Sequence, residues 1–289
     1  MPMHITRRSS LRTWALTLGM TAGVATVALA APEIETDTRA SIRALVSESI
    51  SARKAGELES ALVAGQDAVD LAETFYADEG SLEAHRQRAR ALNALGHAAS
   101  RMGHLEDART HYTEARDLLS EEPGPRARHE LADTCDHLAD LALKARKNDL
   151  ALEHAEAAEK IRLQLVDEEG PTRMYQHGLA RSLHRLGRAA GRLGDREAAV
   201  TAFAEAVRLK TELVTKWPGQ RRLTASLVNT IRHRTYMYLR FGESDEARGK
   251  LQDDLAQLRA LESTHPEQAE LSQHREGLKQ LLRRTTLKR

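Results

Sequence analysis

The chain of 289 residues contains a single cysteine, Cys135. One cysteine excludes a disulfide within the chain. The sequence is therefore compatible with an oxidising compartment but would gain no intrachain disulfide there. Cys135 takes the place of a large core residue in a helical pattern. We therefore predict a buried structural thiol rather than a reactive one.

A surplus of positive charge is also missing. The chain has 43 lysines and arginines against 42 acidic residues, and three of those arginines lie within the first 30 residues. Without that stretch the chain has 40 basic and 42 acidic side chains, which gives a net charge of −2. Proteins that bind nucleic acids usually carry a basic excess because they neutralise phosphates. We therefore exclude nucleic acid as a partner.

Motifs of catalysis and of cofactor binding are absent as well. The sequence contains no HExxH, GxSxG or GxGxxG pattern. His97, His104 and His111 are evenly spaced, but Gly103 interrupts the series, so the three side chains cannot share one helical face. We predict a protein with no catalytic site, no cofactor and no metal site.

Aromatic residues make up only 3% of the chain, whereas charged residues make up 29%. Alanine, leucine, arginine and glutamate dominate the remainder. This mixture is typical of helices that pack through small and branched side chains, and it predicts an all-α fold.

The first 30 residues have the anatomy of a signal peptide. A basic stretch ends at Arg12, an apolar run extends from Trp14 to Ala30, and the run closes on the small-x-small sequence Ala28-Leu29-Ala30. We predict cleavage after Ala30 and a periplasmic or secreted mature protein. An uncleaved leader that anchors the chain in the inner membrane is the alternative, although 17 apolar residues are few for a bilayer span.

The export route stays open. Thr6-Arg7-Arg8-Ser9-Ser10-Leu11 resembles the twin-arginine export motif, with Ser10 where that motif prefers phenylalanine. Adjacent arginines are equally ordinary in a general secretory leader.

A repeated connector organises the rest of the chain. Clusters of acidic residues, glycine and proline recur around Gly80, Gly124, Gly170, Gly219 and Pro266. Glycine supplies the left-handed cap that ends many helices, and proline cannot continue a helix, so each cluster is predicted to end a long helix. A weaker break lies between successive clusters, which divides each unit into a helical hairpin.

The hairpins resemble tetratricopeptide repeats (TPRs), which have a small residue in the first helix, glycine at the turn, and alanine, a large residue and alanine on the second helix. The two strongest matches are Gly96, Gly103, Ala108, Tyr112 and Ala115 in the second unit, and Gly187, Gly194, Ala199, Phe203 and Ala206 in the fourth. Two helices approach closely only where neither carries bulk, and the large residue then fills the gap beside them.

The repeat spacing of about 43–49 residues exceeds the 34 of an ordinary TPR and is similar to that of extended bacterial arrays. The resemblance covers residues 36–266 and implies a right-handed superhelical solenoid of about five hairpins. Residues 267–289 are predicted to form a C-terminal capping helix with a basic tail.

Charged stripes are the best candidates for function. The resemblance implies that first helices line a concave groove, and ten polar residues of these helices fall at groove-facing positions. These residues are Asp133, Asp136, Asp140, Arg181, His184, Arg188, Arg192, Arg232, Tyr236 and Arg240.

Two interpretations of these stripes remain open. The arginines pair with carboxylates of a bound segment, or the arginine and aspartate stripes face each other across neighbouring helices as exposed ion pairs. Arg181 and Arg185 match one half of the two-carboxylate clamp of some TPR proteins, but the lysine and asparagine half has no counterpart here.

The sequence therefore predicts an exported, non-enzymatic scaffold that binds a protein or peptide partner, acidic in one interpretation, in its concave groove. A self-associating structural protein of the cell envelope is the alternative, favoured if the C-terminal cap is incomplete.

Overall fold

The structure is a computed structural model that describes residues 27–76, 81–264 and 269–286. Within these ranges the chain forms eleven α-helices and no strand, which confirms the predicted all-α fold. In chain order the helices are α1 (Val27–Ala55), α2 (Leu58–Tyr76), α3 (Leu82–Met102), α4 (Leu105–Ser120), α5 (Pro125–Lys144), α6 (Asn148–Glu169), α7 (Arg173–Leu193), α8 (Arg196–Lys216), α9 (Arg221–Arg240), α10 (Ser244–Thr264) and α11 (Ala269–Thr286).

The chain divides into two compact units, Met1–Ser41 and Ile42–Arg289. The described part of the first unit is the opening stretch of α1, and every contact and pocket described below lies within the second unit. Positions 1–26 of the predicted leader lie outside the described residues, as does the connector around Gly80. No helix in the described ranges has the length and the hydropathy needed to cross a bilayer.

Consecutive helices of the second unit pack as hairpins, and α11 follows the last of them. The hairpin of α7 and α8 shows how the sequence sets these boundaries. The hydroxyl of Thr172 accepts a hydrogen bond from the Tyr175 amide at the start of α7. Gly194 ends the helix with φ of 92°, a left-handed conformation that glycine adopts without steric cost. Asp195 then caps α8 by accepting from the Ala198 amide.

The connector around Gly124 ends α4 as predicted, but Gly124 itself is not the left-handed cap. Its φ of −68° and ψ of 148° are extended rather than left-handed, and it is the residue that precedes α5. Pro125 stands at the first position of α5, where a missing amide hydrogen costs nothing and the fixed φ suits a helix. Gly124 therefore opens the next helix instead of closing α4.

The predicted pairing of small and large residues is present between hairpin partners. A Cβ atom added at Gly96 would lie 2.8 Å from the Tyr112 ring, and one added at Gly187 would lie 2.8 Å from the Phe203 ring. Both rings are buried. Each aromatic side chain therefore fills a slot that only glycine leaves open between two close helices.

The first helices of successive hairpins also contact one another. Helix α5 packs against α3 and α7, and α9 packs against α7 and α11, whereas the second helices pack chiefly against their neighbours in the chain. We call the solvent-facing side of α3, α5, α7, α9 and α11 the inner surface. Several hairpins contribute their first helix to this surface.

The last helix closes the stack with an apolar face. Leu271, Leu278 and Leu281 of α11 are buried in a core cluster that includes Leu227 and Ile231 of α9. The opposite face of α11 is exposed and polar, with Ser272, Glu276 and Arg283. The helix thus covers the apolar side of the fifth hairpin, as a solenoid cap must.

The slot at Gly187 gives the first testable prediction. Gly187→Ala places a methyl group against the Phe203 ring and should lower the free energy of unfolding by roughly 1–3 kcal/mol because the well-packed pair must separate. Gly249→Ala is the matched control. It adds a methyl group where no atom lies within 4 Å, and it should raise stability by about 0.5–1 kcal/mol through helix propensity. Equal effects in urea unfolding would contradict the slot.

Candidate functional site

The buried side chain of Arg162 on α6 is the centre of a charged cluster. It projects across the hairpin to α5 and α7, and its Nη1 atom donates to Asp136 Oδ2 at 2.6 Å, to the Gly178 carbonyl at 2.6 Å and to Ser182 Oγ at 2.7 Å. Its Nη2 atom donates to Asp133. The guanidinium is fully buried, so these contacts replace the water that it has lost.

The predicted arginine and aspartate stripes meet around this group. Asp140 of α5 accepts a hydrogen bond from Arg188 at 2.9 Å and lies 2.7 Å from Arg185. Arg181 lies 3.3 Å from Asp133. The stripes therefore pair with each other between α5 and α7, as the second interpretation has it.

The predicted exposure of these ion pairs is present only in part. The side chains of Asp133, Asp140, Arg181 and Arg188 are 23–34% exposed. The side chain of Asp136 is fully buried, and that of Arg185 is 12% exposed. Asp136 therefore faces the interior and not the groove. The reason is Arg162 of the second helix, α6, whose buried guanidinium pairs with Asp136 and Asp133.

Burial and charge act in opposite directions on the titration of this cluster. Burial alone would raise the pKa of Asp136, but the guanidinium groups of Arg162, Arg185 and Arg181 lower the pKa below its usual value. Burial lowers the pKa of Arg181, and Asp133 offsets part of that effect. The cluster is therefore ionised at neutral pH, and its charges compensate each other internally.

Sequence reasoning missed Arg162, which belongs to no motif, and the structure places it opposite a glycine. A Cβ atom added at Gly178 would lie 2.8 Å from Arg162 Nε, so Arg162 fills a glycine slot as Tyr112 and Phe203 do. A glycine on a first helix therefore marks the position that a large residue of the neighbouring helix fills. Here that residue is charged.

The next hairpin repeats the arrangement with a lysine. Lys210 of α8 is buried and donates to Thr230 Oγ1 at 2.6 Å. His184 Nδ1 lies 3.0 Å from the same hydroxyl. His184 is thus an interior residue and not a groove contact. Burial, together with the charges of Arg185 and Arg181, lowers the pKa of Lys210 to about 7.

Histidines of adjacent first helices also pair on the inner surface. His97 Nε2 lies 3.0 Å from His137 Nε2. Burial lowers the pKa of His97 to about 4, with smaller contributions from Arg53 and Arg181, so the ring is neutral at pH 7. No group of three or more potential metal ligands gathers within the described ranges.

Arginines beyond the cluster keep their charge free on the inner surface. Arg192 donates to the Leu143 carbonyl and Arg240 to the Arg192 carbonyl, and in the described part of the chain neither lies within ion-pair distance of a carboxylate. Arg232 is exposed and makes no ion pair with a described residue. Tyr236, which lies between Arg232 and Arg240 on α9, is 47% exposed.

These residues border two pockets. The first, which we call the arginine pocket, lies between α7 and α9. The second, which we call the glutamine pocket, lies between α9 and α11. The arginine pocket is lined by Gly187, Arg188, Gly191, Arg192, Phe203, His233, Tyr236, Met237 and Arg240. The glutamine pocket is lined by Val228, Arg232, Tyr236, Gln273, His274, Gly277, Leu278, Gln280 and Leu281. Neither lining includes an acidic residue.

Comparison with known proteins agrees with this architecture. The sequence profile of the tetratricopeptide repeat matches residues 89–117 and 180–212, which lie within the second and fourth hairpins. Both matched stretches are therefore tetratricopeptide repeats, and the helical hairpins around them have the architecture of a TPR solenoid. TPR folds are scaffolds for protein–protein interaction, and the family is generally non-enzymatic.

Two solved structures are similar over most of the chain. BtubC (BKLC) from P. vanneervenii superposes with a TM-score of 0.63 at 17% sequence identity, covering 84% of this chain and 89% of the other. The S. pombe nuclear import adaptor Nro1 superposes with a TM-score of 0.56 at 14% identity, covering 85% and 87%. At such identities the likeness shows the fold alone. No curated protein matches the sequence.

The charged cluster gives the second prediction. Arg162→Met keeps most of the side-chain volume but leaves Asp136 buried without its principal partner, so the free energy of unfolding should fall by about 3 kcal/mol. Arg208→Met on α8 is the matched control. Arg208 pairs with Glu205 and Glu212 but is exposed, and its loss should cost no more than about 1 kcal/mol. Urea unfolding measures both, and losses of equal size would refute a central role for Arg162.

Proposed function

We propose that this protein is an exported scaffold, without enzymatic activity, that binds an acidic protein or peptide segment on its inner surface. The contact residues are Arg192, Arg232, Tyr236 and Arg240, with Arg188 at the edge of the charged cluster. The observation that carries the proposal is the free positive charge of α7 and α9 on a surface where the charges of α5 are already paired.

Charge complementarity supports an acidic ligand. Asp133, Asp136 and Asp140 are engaged by arginines within the protein, so they offer little free negative charge to a basic segment. Arg192 and Arg240 have only carbonyl partners among the described residues, and Arg232 makes no ion pair with any of them. Arginine forms strong, often bidentate hydrogen bonds with carboxylates, and arginine and tyrosine are frequent in binding hot spots.

A role in protein binding also agrees with what is known of one structural neighbour. Nro1 is described as a nuclear import adaptor, which is a function in protein–protein interaction. This supports the general class of activity only, because the two chains share 14% identity.

Self-association into an envelope structure is less well supported. End-to-end stacking requires an apolar face at the end of the array, but α11 turns its leucines inward and exposes polar residues. The described part of α11 therefore does not offer the apolar face that the alternative needs at this position.

Photo-crosslinking in the producing cell tests the proposal. A benzophenone amino acid replacing Tyr236 on the inner surface should form one or a few discrete adducts, whose partners mass spectrometry identifies. The same group replacing Ala204, which is exposed on α8, is the control and should form none. Absence of adducts at Tyr236, or identical adducts at both positions, would overturn binding on the inner surface.

Export rests on the leader and has its own measurement. The intact mass of the chain from the envelope fraction should correspond to a protein that begins at Ala31. A full-length chain that stays in the cytoplasm would contradict export. Replacing Arg7 and Arg8 with lysine should stop translocation if the twin-arginine route is used and leave it unchanged if the general secretory route is used.

A further inference from the structure

The arginine pocket is a site for an anionic side chain. Arg188, Arg192 and Arg240 contribute three guanidinium groups to its lining, and the lining includes no carboxylate. Of these three arginines only Arg188 has a carboxylate partner, Asp140, at 2.9 Å. Asp140 also pairs with Arg185. His233 adds a neutral imidazole, because burial lowers its pKa. A carboxylate that enters this pocket therefore meets a net positive charge whose hydrogen-bonding capacity is only partly used.

The glutamine pocket has a different chemistry. Its floor includes the buried aliphatic side chains of Val228, Leu278 and Leu281, and its rim includes the amides of Gln273 and Gln280. An amide side chain both donates and accepts hydrogen bonds, so it can pair with the N–H and C=O groups of an extended backbone. Arg232 and His274 also line this pocket. Its three buried aliphatic side chains suit a peptide segment that directs an aliphatic side chain at the floor, and Arg232 stays available to an acidic residue of the same segment.

Helix α11 leaves room for such a side chain. A Cβ atom added at Gly277 would meet no atom within 4 Å, and Gly277 lies between the two glutamines in the lining of the pocket. The space above the leucines is thus open where a residue of any other type would begin to fill it.

Tyr236 joins the two pockets because its side chain contributes to the lining of both. A single extended segment that crosses α9 at Tyr236 reaches the arginines on one side and the glutamines on the other. Aromatic rings of this kind serve as rigid contact surfaces at low entropic cost.

We propose that the inner surface recognises a two-part segment. An acidic residue occupies the arginine pocket, and a nearby aliphatic residue of the same segment occupies the glutamine pocket. This inference rests on the proposed binding of an acidic segment, and it adds the second subsite and the aliphatic requirement.

Selection of random peptides displayed on phage against the full mature chain tests this inference. Enriched sequences should combine an acidic residue with an aliphatic one at a fixed short separation. The affinity of one selected peptide and of its aliphatic-to-glycine derivative is then measured by fluorescence anisotropy. The derivative should bind about tenfold more weakly, since it forfeits the burial of one aliphatic side chain.

Gly277→Leu is the decisive variant because it fills the glutamine pocket without removing a contact. It should weaken the selected peptide about tenfold, abolish the preference for the aliphatic residue, and leave the folded state at least as stable since leucine favours helices more than glycine does. Gly249→Leu makes the same change on α10, at an exposed position with open space, and should leave binding unchanged.

The possible outcomes separate the inference from the function on which it rests. Acidic peptides with no aliphatic preference, or full affinity in Gly277→Leu, would overturn the second subsite while the acidic groove stands. Arg192→Gln combined with Arg240→Gln should weaken the same peptide about tenfold or more, and an unchanged affinity there would overturn the acidic ligand. No enrichment of any sequence would overturn both.

Discussion

The structure depends on one steric constraint, the close approach of two helices at a glycine. Gly96, Gly178 and Gly187 each leave a slot in a first helix, and a large side chain from a second helix occupies it. In two of the slots the occupant is an aromatic ring. In the third it is Arg162, and a guanidinium without water needs partners that carry charge.

The charged cluster follows from this substitution. Once Arg162 occupies the slot at Gly178, Asp133 and Asp136 of α5 pair with it, and Ser182 and the Gly178 carbonyl accept further hydrogen bonds from its Nη1 atom. Arg181 and Arg185 of α7 also compensate these two carboxylates. Within the cluster, four arginines already face three aspartates, so the cluster has no free carboxylate for the basic residues farther along the array. Positive charge without an acidic partner therefore remains there. It appears at Arg192, Arg232 and Arg240, the surface on which we place the ligand.

Much of this arrangement could be predicted from the sequence. The spacing of small residues and connectors predicted the hairpins, and the two best-matching units predicted the contacts of Gly96 with Tyr112 and of Gly187 with Phe203. Those inferences succeed because they rest on local helix geometry, which repeats along the chain. The pairing of the arginine stripe of α7 with the aspartate stripe of α5 could be predicted for the same reason.

The interior location of Asp136 and His184 could not be predicted in the same way. Their spacing places them beside exposed residues on the same helix, and burial depends on Arg162 and Lys210, which approach from another helix. Neither of these second-helix residues belongs to a recognisable motif. The two pockets also depend on the distance between helices of different hairpins, and helical periodicity contains no information about that distance.

The position of the pockets has a consequence for the mechanics of the array. In a repeat protein each hairpin is stabilised by its own fold and by its interfaces with its neighbours. A segment that fills both pockets contacts α7, α9 and α11, and so it bridges the last interfaces of the stack. Binding to the folded state alone raises its stability by an amount that grows with the ratio of ligand concentration to Kd. Because these contacts cross the interfaces between α7, α9 and α11, the bound segment stabilises the C-terminal end of the stack. The buried ion pairs around Arg162 stabilise the middle of the stack with or without a ligand.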